Sequence, residues 1–427
     1  MSLHPSNRRI ARTVLALAMP FCLAACGGGD ASAPRLFTTF QAASVVLGQP
    51  TMGSGLADQG QEPNAASLDV PVGMALTPEG ALLVADFKNN RVLLYGLTVS
   101  GGAAVAVLGQ PNFQSSAPST SRGGFNKPLD VATGAGRMAV ADSGSNRVLI
   151  YDRIPMEGEA PPEPTSVIGQ PDFDSFEPGC GPKGLNRPDS VAISPAGKLI
   201  VADTLNNRVL VWNSIPAPGS FAPQPDLVLG QGDLLHCAFR DEEQDGRSNS
   251  VDHTSARFVQ AVDVWTDDDR LVVVDKLASR VLIWKTFPTV NFQPADIVLG
   301  HSTFTGAHFN DVPPVGDVRA DKPTAHTLGE PSGVHSDGVS LAVADTQNSR
   351  VLIWNSFPQE NYQPADVVLG QPDFLGAATT DQNGDGIIDP PLVIDAHVLY
   401  RPSHVLLTPG ALITSDTGNN RVLIFRR

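Results

Sequence analysis

The sequence predicts an all-β protein: a six-bladed β-propeller whose blades are four-stranded antiparallel sheets. Three observations predict it. A polar signature recurs six times along the 427 residues. Each copy sits among four short apolar runs punctuated by Gly and Pro, the pattern of strands and turns. The chain also stops partway through its last repeat, and the strand missing there stands alone near the N-terminus.

The signature joins two apolar runs. VADFKNNRVLLY begins at Val84, VADSGSNRVLIY at Val140 and VADTLNNRVLVW at Val201. VVDKLASRVLIW begins at Val273, VADTQNSRVLIW at Val343 and TSDTGNNRVLIF at Thr414. The shared form is Asp-x-x-x-(Asn/Ser)-Arg. It pairs Asp86 with Arg91, Asp142 with Arg147, Asp203 with Arg208, Asp275 with Arg280, Asp345 with Arg350 and Asp416 with Arg421. The run ending at the Asp reads as strand b, and the run starting at the Arg as strand c. Asp and Asn suit the turn between them, because their side chains bond nearby backbone and tolerate left-handed conformations. The Arg fork reaches the carboxylate or the turn carbonyls. Six near-identical sites around a ring make poor active sites, so these residues are expected to be turn staples.

Strand a lies upstream, as VPVGMAL, KPLDVAT, RPDSVAI, EPSGVHS and RPSHVLL, with FVQAVDVW lacking the Pro. Strand d lies downstream, as AVLGQPNF, SVIGQPDF, LVLGQGDL, IVLGHSTF and VVLGQPDF. Radial repetition of such a unit is a propeller. The last repeat ends at RVLIFRR with no strand d, whereas SVVLGQPT at 44–51 has no strands a to c before it. The N-terminal strand is therefore expected to complete the sixth blade and remove an unpaired sheet edge. The propeller is placed at 44–427. The repeated Asp-x-x-x-Asn-Arg followed by Val resembles the NHL repeats of six-bladed propellers. That resemblance implies an interaction platform.

The first 25 residues read as an export signal. Arg8, Arg9 and Arg12 precede a short apolar stretch ending Leu23-Ala24-Ala25-Cys26. This resembles the bacterial lipobox, which implies lipid attachment to Cys26, a tether over 26–43 and retention in the cell envelope at the outer membrane. Acyl chains rather than a spanning helix would hold the protein there. The chain carries a formal net charge of −15, which argues against a nucleic-acid partner. Cys180 and Cys237 remain as an even pair in an oxidising compartment. Both fall in d–a connections of successive repeats, which favours a disulfide over zinc, although sequence alone does not set their distance.

The long inserts, 232–257, 302–330 and 373–400, all fall between strand d and the next strand a. They share a face with the b–c turns, and loops on a rigid scaffold are where binding usually resides. One insert contains DQNGDGIID, whose alternating oxygen side chains and Gly386 match a calcium loop. Asp381, Asn383 and Asp385 would be side-chain ligands, Ile387 would offer its carbonyl, and Asp389 would bind directly or through water. Leu392 stands where such loops carry Glu, and a solvated turn is the alternative. A weaker echo runs from Asp241 to Asn249.

Strands a line the channel of a propeller. Counting two residues past each Pro gives Gly73, Asp130, Ser190, Gly333 and His404. No spacing among the histidines signals a zinc triad, and no nucleophile elbow, phosphate loop or dinucleotide fingerprint occurs. The first functional reading is a monomeric, lipid-anchored, non-enzymatic scaffold that offers its loop-decorated face to a protein, peptide or glycan. The second is a metal-dependent enzyme of the lyase or lactonase/hydrolase type at the channel, with Asp130, His335 and His404 as first suspects.

Overall fold

In a computed structural model, residues 36–96, 98–238, 254–311, 322–377 and 393–427 are described. The signal segment, Cys26 and the loop from Asp381 to Asp389 lie outside them, as does the echo at Asp241 to Asn249.

Six separate four-stranded antiparallel sheets form the propeller. Blade 1 comprises β2 (Pro71–Leu76), β3 (Leu82–Asp86), β4 (Arg91–Tyr95) and β5 (Ala106–Leu108). Blade 2 comprises β6 (Pro128–Gly134), β7 (Arg137–Asp142), β8 (Arg147–Tyr151) and β9 (Ser166–Ile168). Blade 3 comprises β10 (Pro188–Ile193), β11 (Leu199–Asp203), β12 (Arg208–Trp212) and β13 (Leu227–Leu229). Blade 4 comprises β14 (Ala261–Thr266), β15 (Leu271–Asp275), β16 (Arg280–Trp284) and β17 (Ile297–Leu299). Blade 5 comprises β18 (Gly333–Ser336), β19 (Leu341–Asp345), β20 (Arg350–Trp354) and β21 (Val367–Leu369). Blade 6 comprises β22 (His404–Leu407), β23 (Ala411–Asp416) and β24 (Arg421–Arg426), completed by β1 (Val45–Leu47). Leu47 pairs with Val422 and Val45 with Ile424, so the first strand does close the last blade.

Strands b and c are buried on both faces, because each blade packs against two neighbours. That is why they read as unbroken apolar runs rather than alternating ones. The cores accordingly lie between successive blades. One joins Leu83 and Leu94 of blade 1 to Val140 and Leu149 of blade 2. Another joins Leu47 and Ile424 of blade 6 to Leu82 and Leu93 of blade 1, sealing the ring. Residues 36–43, expected as part of a tether, instead pack on the ring. Phe37 is buried among blade 5 and 6 residues, since an apolar ring gains more there than in water.

Each b–c connection is one turn of 3-10 helix followed by a left-handed residue. Asn90, Asn146, Asn207, Ser279, Ser349 and Asn420 hold φ between 49° and 53°, which explains the Asn or Ser before every Arg. The staples share one geometry. Arg208 Nε donates to Asp203 Oδ2 at 2.8 Å, Nη1 to the Leu234 carbonyl at 2.9 Å, and Nη2 to the carbonyls of Gly181 and Gly184. Asp203 Oδ1 accepts the Asn186 N–H at 2.8 Å. All six pairs are fully buried. Each staple therefore pins the d–a connection entering its blade to the segment after its strand d.

Cys180 and Cys237 are disulfide-bonded, with Cα atoms 6.1 Å apart. The bond links the connection entering blade 3 to the one leaving it. Closing a loop with a sequence separation of 57 is expected to contribute about 4 kcal/mol. Melting with and without reductant, against the Cys180→Ser/Cys237→Ser variant, checks this. Equal melting temperatures in all cases would contradict it.

Candidate metal centre in the channel

Each strand a bonds strand b along one edge and turns the other edge to the channel, where its N–H groups need partners. Two aspartates supply them. Asp130 Oδ1 accepts the N–H of Val131 at 2.8 Å, and its Oδ2 accepts that of Val191, in blade 3, at 3.0 Å. Asp263 Oδ1 accepts the N–H of Val264 and the Ser190 hydroxyl, and its Oδ2 accepts the N–H of Val334, in blade 5, at 2.7 Å. Both carboxylates are thereby aimed rigidly, and both bridge to the next blade.

Asp130, Ser190, Asp263, Gly333 and His404 occupy one register, each opposite the residue preceding its blade's staple Asp. With Gly73 they make a ring that alternates. Blades 2, 4 and 6 contribute Asp, Asp and His; blades 1, 3 and 5 contribute Gly, Ser and Gly. The small residues make room. A Cβ on Gly73 would stand 2.2 Å from Asp130 Oδ1, and one on Gly333 would stand 2.7 Å from the Cα of His404.

The three larger side chains converge. One ligand atom each from Asp130, Asp263 and His404 lies within 4.8 Å of the others, and all three residues are buried. His404 Nε2 is 3.8 Å from Asp130 Oδ1, too far for a hydrogen bond. Among the described residues, the buried His404 Nδ1 has no hydrogen-bond partner. Burial, and then the charge of Asp263, pushes the Asp130 carboxyl well above the ordinary range. Burial raises Asp263 to about 7, opposed by its hydrogen bonds from Ser190, Val334 and Val264. Burial and the neighbouring His335 lower His404 to about 3, so its imidazole is neutral at physiological pH.

Of the residues expected at the channel, Asp130 and His404 meet in this cluster. His335 stands nearer the mouth. Its Nδ1 accepts the Leu407 N–H at 3.1 Å, which places its proton on Nε2. Asp263 is missed by counting from the Pro, because Ala261 takes the Pro position in blade 4. Its signal is the shared Val-Asp-Val against Leu-Asp-Val of blade 2.

Above the cluster lies a cavity of about 540 Å³. Met74, Leu76, Ile193, Trp265 and Leu406 contribute apolar walls, and Ser194, Asp267 and Thr408 lie towards the rim. The exposed Pro195 and Pro409 stand at its mouth. The cavity thus opens on the side of the a–b connections, opposite the inserts.

No family model matches the chain, and no curated protein matches it. Among solved structures it is similar to the hydrazine synthase of Kuenenia stuttgartiensis, at 13% identity over 86% of this chain and 98% of that one, with a TM-score of 0.43. It is also similar to virginiamycin B lyase from Staphylococcus aureus, at 12% identity over 86% and 98% of the two chains, with a TM-score of 0.42. Neither likeness bears on the chemistry of the channel.

Proposed function

We propose that the protein is a metal-dependent propeller enzyme of the lyase or hydrolase type, with its site in the channel. One observation carries this reading: two buried carboxylates and a neutral imidazole, whose Nδ1 has no hydrogen-bond partner among the described residues, converge at the floor of an apolar-walled cavity. Asp130, Asp263 and His404 would hold a divalent cation. The mixed O,O,N donor set suits a first-row transition ion better than calcium, which prefers oxygen ligands. When bound, such an ion polarises a carbonyl or activates a water. Ser190 and the backbone N–H groups keep the carboxylates aimed. His335, with its proton on Nε2, would offer a neutral donor to an oxygen of a substrate in the cavity. The apolar walls would exclude water.

The lipobox motif and the disulfide support placement in the bacterial envelope, anchored through Cys26. The repeated staples support membership of the NHL-type propellers. Titration calorimetry of the chelator-stripped full chain tests the cation. Mn²⁺ or Zn²⁺ is expected to bind once per chain, and Asp263→Asn to abolish that event. Calcium taken up by the loop from Asp381 to Asp389 would persist in Asp263→Asn and vanish in Asp385→Ala. Absence of any Asp263-dependent cation would sink the enzyme reading. It would leave the scaffold that binds a protein, peptide or glycan, for which the cross-linked d–a connections of blade 3 are the support.

A further inference from the structure

The outermost strand of every blade turns one edge away from its own sheet, and five of the six edges are covered in the same way. A residue with positive φ, five positions before strand d of one blade, donates its N–H to the central carbonyl of strand d in the preceding blade. Phe40 donates to Val368, Gly101 to Val46, Ala222 to Val167, Phe292 to Val228 and Tyr362 to Val298, all at 2.9–3.0 Å. Their φ values run from 44° to 69°. A neighbouring group accepts the return bond, as Asn291 Oδ1 does from the Val228 N–H at 3.1 Å and Asn361 Oδ1 from that of Val298 at 3.0 Å.

Blade 1 is the exception. Its central residue is Val107, in β5. Among the described residues, nothing bonds the outward N–H or C=O of Val107. Val107 is half-buried, whereas Val46, Val167, Val228, Val298 and Val368 are buried. The cause is covalent. The position five before β9 is Pro161, and Pro has neither an N–H to give nor access to positive φ. The loop is held elsewhere, with the Arg122 guanidinium donating to the Pro164 carbonyl at 2.8 and 3.0 Å. A groove of about 400 Å³ remains along β5, lined by Val105, Phe113, Tyr151, Pro161, Glu159 and Glu163 among others.

We propose that this edge is a docking site for an extended, cationic peptide segment of a partner protein, which adds to blade 1 as a fifth strand. An open edge is a template for strand addition, and here the cover that closes the other five is chemically barred. The exposed Val105 and half-buried Phe113 supply apolar contact. Glu159 shares the half-exposed Arg153, and Glu163 has no ion pair among the described residues, so the groove selects Lys or Arg on the incoming strand. A second copy of this chain would bring the same carboxylates face to face, against a net charge of −15.

The test uses the full chain and a labelled Lys-Val-Thr-Val-Lys peptide with blocked ends, followed by fluorescence anisotropy. Saturable binding is expected, with the Glu-for-Lys peptide failing to bind. Val107→Pro removes an outward N–H on an edge strand, where Pro is tolerated, and should weaken binding about tenfold. Pro161→Ala, which lets the loop close over the edge, should weaken it at least as much. N-methylation of the peptide's backbone does the same without altering the protein. Failure of the Lys peptide to bind would overturn the proposal, as would equal binding of the acidic peptide or unchanged affinity in Pro161→Ala. A dimer lost in Val107→Pro would also overturn it, by assigning the edge to a second copy. None of these outcomes depends on the channel cation.

Discussion

Replacing Arg208 with Met is expected to lower the free energy of unfolding by about 3–5 kcal/mol, a large share of a typical domain's stability. The reasoning starts from burial. Asp203 and Arg208 are both fully enclosed, and burial already raises the Asp203 carboxyl, with Arg208 the largest opposing influence. Removing the guanidinium strands that charge. It also orphans the carbonyls of Leu234, Gly181 and Gly184, each of which costs about 1–3 kcal/mol if left unsatisfied. The double variant Asp203→Asn/Arg208→Met should recover part of the loss, because no uncompensated charge remains. Urea unfolding of the three proteins measures it. The exposed pair Arg153–Glu159 serves as the contrast, since its loss should cost less than about 1 kcal/mol. An Arg208 cost in that lower range would mean the staples do not hold the blades.

The second large effect is a damping of pH dependence by a cation. In chelated protein, Asp263 keeps its proton up to about pH 7, whereas an unfolded aspartate releases it near the ordinary value of 3.8. Between those values the folded state binds more protons than the unfolded state. Stability therefore falls as pH rises through that window, by up to about 4 kcal/mol for this one group. Asp86 and Asp142, which burial raises to about 6, titrate with the same sign. Asp263→Asn is the control that removes this group's share, while Asp130, also raised by burial, keeps its own. A bound divalent cation favours the ionised carboxylates, and at a hundredfold excess over its Kd it adds about 2.7 kcal/mol. Melting temperatures from pH 5 to pH 8 should therefore fall steeply with chelator and far less with Mn²⁺ or Zn²⁺. Parallel profiles would remove the channel cation from the account.

Most of the fold was legible because its determinants repeat. Strands b and c are buried on both faces, so they stand out as unbroken apolar runs, and the fixed Asp-to-Arg spacing marks their turn six times. Closure was legible from one displaced strand, SVVLG, because a lone strand d needs a sheet to join. The site was half legible. Asp130 and His404 follow a Pro that fixes the start of strand a, but blade 4 begins that strand with Ala261, so Asp263 has no such marker. Convergence itself is not a local property: Asp130, Asp263 and His404 come from three alternate blades, and only the ring brings them together. The uncovered edge of blade 1 was written in one residue, Pro161. That residue gains meaning only when its five counterparts are seen to share a left-handed backbone.

β1 pairs with β24, so Val45–Leu47 waits for a partner made about 380 residues later. At typical elongation rates of about 5–20 residues per second, that interval is tens of seconds. The first five blades have all their own strands long before it ends, but the apolar segment that seals the ring has nothing to pair with until the last blade emerges. The nascent chain therefore carries an unpaired strand throughout that interval. Circularly permuting the gene, so that β1 follows β24 directly, would place that pairing among the quickest contacts to form.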